Sequence, residues 1–496
     1  MSETSSTPAV EESQNKADDG VRIESIVYPL AILTAIFTWF FAVRYPLWMD
    51  ETGSYWQISG GFSQIWSRKV AGFAYPYVLW VAKSILGSSV LALRIPSILA
   101  MIAATAVIYK TAKDEFGYRA ANAATIVFCI HPAVIFAAID VRPYAFGILM
   151  TALAIRWMLR WVKTSSTRDA IIFGVLCAFM LYFRLVFMTI LPIFGLYLLI
   201  VAIRRTENFR PRWMAALVPF LLLCIPLVGQ VLHLFVKPES HVFAEKATID
   251  ELALAFAPDF VLALFALLML GASATKRIAK PMQEKAGAAL LALMIGFLPL
   301  LVLFSISKFT PLHMFVPRYY LCAVPGIAFC WGMMVSWVDC RWLRSAFCTA
   351  IALASLAINF NPTFTAQHGY TWKFAIDAAE LNTSKDHAPV LICSGIKETD
   401  VEQVGVYGSE DIPQLSYYPL SSPVVGLPYS LTPASRRLID QQIQQYAAKK
   451  QRFVAMGWTP AYPVLRYMIE KSDGAYEAHR VGVFDNVAVV EFRPKP

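Results

Sequence analysis

The stretch Tyr45-Pro-Leu-Trp-Met-Asp-Glu-Thr-Gly-Ser-Tyr-Trp56 decides how the rest of the chain is to be read. It follows an uncharged apolar run over residues 25–43, long enough at about 1.5 Å per residue to cross a hydrocarbon core of about 30 Å. Just past the far end stand two adjacent carboxylates, Asp50 and Glu51, among the aromatics Tyr45, Trp48, Tyr55 and Trp56. Aromatics at that level mark a membrane–water interface. A carboxylate pair held there can act on a molecule lying partly in lipid and partly in water. The simpler role open to Asp50 is to cap a short helix beginning near Thr52, where its charge suits the helix dipole.

Composition supports a membrane setting. Of 496 residues, 57% are hydrophobic and 16% charged, against roughly 25% charged in soluble globular domains. Further apolar runs cover 120–139, 185–203, 213–236, 286–307, 319–338 and 345–360, with shorter or interrupted ones at 91–109, 143–155, 170–183 and 260–275. With the first run this predicts a polytopic α-helical membrane protein of about eleven spans. Residues 72–86 are also apolar but short and contain Lys83, which suits a helix lying in the interface. Residues 1–24 are polar and acidic and lack the apolar core of a secretory signal, as expected of a disordered tail. The net charge of +9 would suit nucleic acid, but the basic residues cluster between apolar runs, which is a topology signal. The eight cysteines are scattered without metal-ligand spacing, which argues against a disulfide framework.

Lys and Arg also give the orientation. Lys110, Lys113, Arg119, Arg156, Arg160, Lys163, Arg168, Arg204, Arg205, Arg210, Arg212, Lys276, Arg277, Lys280, Lys285, Arg341 and Arg344 fall in one alternate set of connections, while the opposite short connections hold only Arg142, Arg184, Lys237, Lys246, Lys308 and Arg318. The positive-inside rule assigns that set to the cytoplasm. The N-terminus is then inside, and a first outer loop at 44–90 and everything after 360 lie outside. The domains expected are a tail (1–24), a membrane domain (25–360) and a soluble extracytoplasmic α/β domain (361–496). In the last, 370–381 and 433–450 read as helices, 389–394 and 452–457 as buried strands, and 480–484 with 486–492 as a hairpin across Asp485. It lacks any phosphate loop or nucleophile elbow and suits a docking or acceptor-guiding cap.

Other polar groups fall on the same expected outer side. Asp140, Arg142 and Tyr144 share a tight turn between two apolar runs, either as a site or as a salt bridge helping the turn. Arg184 sits between two runs with almost no loop, and Arg318, followed by Tyr319, opens a late one. Their planar forks suit phosphate, though snorkelling to headgroups is the simpler role. Lys308 and His313 lie in the same outer segment as Arg318. The loop 237–251 reads as a lid or a solvated connection, and His131, before Pro132, more as a span end than as a ligand.

These residues resemble the GT-C-type membrane glycosyltransferases, in particular the bacterial branch similar to protein mannosyltransferases and the lipid A aminoarabinose transferase. Leu47-Trp-Met-Asp-Glu51 is similar to the family's Asp-Glu motif. Ile139-Asp-Val-Arg-Pro-Tyr144 is similar to its acid-x-Arg-Pro-Tyr turn, with Asp in place of the usual Glu. Arg94-Ile-Pro-Ser97 and Arg318-Tyr319 with Pro325 resemble two further motifs. The resemblance covers roughly 25–340. It implies a polyprenyl-phosphate sugar donor used at the outer face of the inner membrane, with a lipid, glycan or protein as acceptor. Asp50, with Glu51 or Asp140 in support, would serve the acceptor hydroxyl. Arg142, Tyr144, Arg184, Arg318 and Tyr319 would hold the donor. An arginine-neutralised phosphate leaving group calls for no metal, although an acid-rich site could bind one. A polysaccharide polymerase or ligase would place its largest outer loop late among the spans. A transporter would carry charges at mid-membrane in two repeated halves, and no such repeat is visible.

Overall fold

The computed structural model describes residues 26–41, 43, 45–67, 74–204, 212–229, 246–275, 286–310, 315–360, 371–393, 405–407, 412–428 and 431–496. The expected tail at 1–24, His313 and most of the 237–251 loop lie outside them. By its contacts the chain forms two compact units. One comprises Met1–Val43, Ala71–Tyr75 and Leu91–Pro362; the other comprises Arg44–Val70, Pro76–Val90 and Thr363–Pro496. The loop expected with the membrane domain thus groups with the C-terminal residues.

The first unit is a helical bundle. Among the described residues five helices are long and apolar enough to cross a membrane: Val90–Phe116, Tyr144–Thr164, Leu185–Arg204, Ala286–Phe309 and Arg341–Ile358. Two bent pairs raise this to seven: Tyr118–Ile130 with Pro132–Ile139, bent by 61°, and Ile249–Phe256 with Asp259–Ala274, bent by 66°. Ile26–Phe41, Trp213–Leu227 and Leu321–Ser336 are shorter apolar helices, and Thr167–Phe183 completes the set. Each apolar run expected to span falls on one of these segments so far as it lies among the described residues, and the interfacial run 72–86 falls on the helix Ala74–Leu86. The chain is a multi-pass membrane protein.

Small residues let the helices approach closely, as suits packing in lipid, where apolar contact alone does not favour helix association. A Cβ at Gly174 would strike the Ala216 carbonyl, and one at Gly326 the backbone of Gly296. Trp39 Nε1 donates to the Cys129 carbonyl at 2.9 Å, fixing the first helix to the third run. The first bend has a local cause. His131 Nδ1 accepts from the Ala133 amide (3.2 Å) while Nε2 lies 3.1 Å from the Ala255 carbonyl, and Pro132 starts a new helix. His131 is therefore a helix cap. At one end of the bundle Arg156 pairs with Asp114 at 2.9 Å, Lys163 with Glu115 at 2.6 Å and Arg119 with Asp339 at 2.6 Å. Connections assigned to one side by their basic residues are therefore neighbours in space.

In the second unit the C-terminal residues form a six-stranded sheet: β1 Val390–Cys393, β2 Gly405–Tyr407, β3 Val424–Gly426, β4 Phe453–Trp458, β5 Tyr476–Phe484 and β6 Val487–Pro494, in the order β2-β3-β1-β4-β6-β5. β1 is parallel to β3 and β4, and the other pairings are antiparallel. Strand alternation sends side chains to opposite faces. Leu391 and Cys393 join the helices Pro433–Ala448 and Tyr462–Ser472 on one face, while Val390 and Ile392 meet Lys373–Thr383 and Ile412 on the other. The β5–β6 hairpin turns at Asp485 (φ 45°) and Asn486 (φ 68°), residue types that tolerate the left-handed region. All eight cysteines are free thiols.

Candidate active site

The acid-x-Arg-Pro-Tyr turn is held from below by a neighbouring helix. Asp140 ends the short helix Pro132–Ile139 and is fully buried. Its carbonyl accepts from Ser97 Oγ at 2.8 Å. One turn earlier on the same helix, the fully buried Arg94 donates from Nη1 to the Val43 carbonyl at 2.9 Å. Arg94-Ile-Pro-Ser97 is thus a brace for two backbone segments. Ser97 was not among the residues expected in the site. Its signal was its place in that motif.

Tyr144 opens the next helix, and two cations approach its ring. The Arg142 guanidinium lies 6.0 Å from the ring centroid and that of Arg184 lies 5.7 Å from it. At such separations the ring face still attracts a guanidinium, by about 0.5–2 kcal/mol. The ring is buried, and its hydroxyl finds no hydrogen-bond partner among the described residues. Arg184 ends one helix and begins the 3-10 turn Leu185–Ile190, in extended backbone at φ −159°. Both arginines are half-buried.

Arg318 and Tyr319 lie in the 3-10 turn Pro317–Tyr319, with the guanidinium 5.6 Å from the Tyr319 ring. The next turn, Leu321–Ala323, packs on the Tyr144 helix and on the turn that follows Arg184. Thr189 and Cys322 meet there at 3.4 Å. The structure therefore gathers Asp140, Arg142, Tyr144 and Arg184 around one turn and brings the Arg318 segment up to its neighbours. Lys308 Nζ instead reaches the Ala247 carbonyl at 3.5 Å.

The Asp-Glu motif belongs to the second unit. Its helix runs Met49–Ser59, three residues earlier than expected. Glu51 is fully buried, and its Oε2 accepts the Trp48 amide at 3.1 Å. That bond satisfies a donor the first turn leaves open. Capping therefore falls to Glu51, and Asp50 is half-buried beside it. Among the described residues no three His, Cys, Asp or Glu side chains group as a metal site.

A model of the dolichyl-phosphate-mannose-protein mannosyltransferase family matches residues 71–229, the segment holding the Arg94 brace, the Asp140 turn and Arg184. The crystal structure of ArnT from Cupriavidus metallidurans in the apo state superposes with a TM-score of 0.57, covering 93% of this chain and 97% of that one at 13% identity. The chain has the fold of ArnT, and over residues 71–229 it is similar to that mannosyltransferase family. The same ArnT bound to undecaprenyl phosphate aligns with a TM-score of 0.55 at 11% identity, again over 93% and 97% of the two chains. At such identities the likeness is one of fold. No curated protein matches the chain by sequence.

Proposed function

We propose that this protein is a glycosyltransferase that moves a sugar from a polyprenyl-phosphate carrier to a lipid, glycan or protein acceptor at the outer face of the inner membrane. The observation that carries the reading is the pair of guanidinium groups, Arg142 and Arg184, that both lie within about 6 Å of the Tyr144 ring, in the turn that holds buried Asp140. Two cations at the ends of apolar helices suit the phosphate of a lipid whose tail stays in the bilayer. The undecaprenyl phosphate bound by ArnT, which shares the fold, supports that donor class.

The chemistry follows from the charges. An acceptor oxygen attacks the anomeric carbon, the bond from that carbon to the phosphate oxygen breaks, and the electron pair leaves with the phosphate. Asp50 takes or orients the acceptor proton. Arg142, Arg184 and Arg318 stabilise the charge growing on the phosphate, so turnover persists when divalent ions are chelated. The N-terminus lies in the cytoplasm and the α/β domain outside.

The test uses purified protein and a labelled polyprenyl-phosphate sugar, with binding and transfer measured separately. Arg184→Ala removes a charge-assisted contact of about 1.5–3 kcal/mol, so donor affinity falls roughly 10- to 150-fold. A wild-type protein that neither binds nor consumes such a donor overturns the reading. Unchanged affinity in Arg184→Ala makes that residue a headgroup anchor.

A further inference from the structure

We infer that Tyr417 and Tyr418 are positioning residues that hold the Asp50 helix ready for the reaction. The inference rests on the role proposed for Asp50. It gives the C-terminal domain a part in catalysis through the second unit's own contacts.

Three grips surround Asp50. Before it, the Tyr418 hydroxyl accepts the Leu47 amide at 2.7 Å and lies 3.4 Å from the Leu47 carbonyl, to which it donates. One phenol thus meets both backbone groups of a fully buried residue three positions before the carboxylate. The adjoining Trp48 forms an antiparallel bridge with Thr371, and Met49 packs on the cluster formed by Trp372, Ile376 and Leu415. After Asp50, the Tyr55 ring meets the edge of Tyr417 at 4.9 Å and 83° while the Lys83 ammonium sits 4.7 Å from its centroid. Tyr417 in turn donates to the Ser88 carbonyl at 2.9 Å. It also stands edge-on to Tyr418, at 4.8 Å and 89°, so the two tyrosines form one block.

The physical consequence is preorganisation. A helix of eleven residues is marginal by itself, and its orientation depends on what holds it on either side of Asp50. Here its start and its middle are held by one aromatic dipeptide at the end of the short helix Pro413–Tyr417, which packs along the Asp50 helix. A carboxylate misplaced by about 1 Å can lose roughly 10²-fold in rate. Losing the block therefore affects kcat more than donor affinity, which the arginines supply.

The experiment compares full-length wild type, Tyr418→Phe, Tyr417→Phe and Tyr417→Ala in detergent. Hydrogen exchange is read over residues 45–60 and over the sheet, and kcat and donor KM are measured. Tyr418→Phe is expected to speed exchange at 45–60 alone and to lower kcat roughly 10- to 100-fold, with KM for the donor unchanged. Tyr417→Ala does the same, and Tyr417→Phe, which keeps the ring edge, restores most of the loss. Unchanged exchange at 45–60 in both Tyr418→Phe and Tyr417→Ala overturns the inference. So does faster exchange there with normal kcat, or faster exchange throughout β1, β4 and β6, which marks residues that merely hold the fold. Should wild type transfer nothing from the donor, the functional reading falls, and exchange at 45–60 alone decides whether the tyrosines hold the helix.

Discussion

Asp50 and Glu51 are adjacent in sequence and opposite in surroundings. Glu51 is fully buried with an oxygen on the Trp48 amide, whereas Asp50 is half-buried on the same first turn. Geometry therefore separates a capping carboxylate from a partly exposed one, which two consecutive acids in a sequence cannot do, and the proposed chemistry is assigned to the latter. Asp50→Asn keeps size and most hydrogen bonding, so donor binding survives while turnover falls about 10²- to 10⁴-fold. Glu51→Ala removes the cap and lowers stability by about 0.5–2 kcal/mol. Thermal unfolding and turnover measured on both variants check the division. Normal turnover in Asp50→Asn moves the base to Glu51 or Asp140.

Among the elements, β4 and β6 of the α/β domain depend on one arginine at their shared end. Arg452 reaches Asp386 at 2.6 Å, Glu491 at 2.5 Å and the Asn382 carbonyl at 2.7 Å. The hydrogen bond from Arg452 lowers the Asp386 pKa. Burial pushes Glu491 up, but the hydrogen bonds from Arg493 and Arg452 outweigh it and leave its pKa lowered. A carboxyl lowered on folding stabilises above its unfolded value, about 4, and that stability is lost as pH falls through the folded value. The stability gap between wild type and Arg452→Met is therefore widest near neutral pH and closes below about pH 4. Denaturant unfolding of the domain within the full chain at pH 7 and pH 3.5 measures it. A gap that stays constant with pH removes the charges from the explanation.

For the whole molecule, the ion pairs joining Asp114, Glu115, Arg119, Arg156, Lys163 and Asp339 gather at one end of the bundle the connections that the basic residues assign to the cytoplasm. A reporter active only outside the cytoplasm is accordingly expected to be active when fused after Phe484 and silent when fused after Arg204. The reverse pattern would turn the Arg142–Arg184 turn toward the cytoplasm and end the proposal of an outer donor.

The sequence by itself determined the membrane class, the position of each apolar helix, the strands at Val390–Cys393 and Phe453–Trp458, and the residues of the Asp140 turn. These depend on local hydrophobicity, period and turn chemistry, which a linear reading sees. Tertiary structure alone decided that Ser97 holds the Asp140 backbone and that Arg142 and Arg184 share the Tyr144 ring. It also decided that the loop around Asp50 folds with residues more than three hundred positions away, through Tyr418 and Leu47. Neither tyrosine carries a local pattern that marks it. A backbone amide accepts any well-placed oxygen, and only the folded chain says which oxygen arrives.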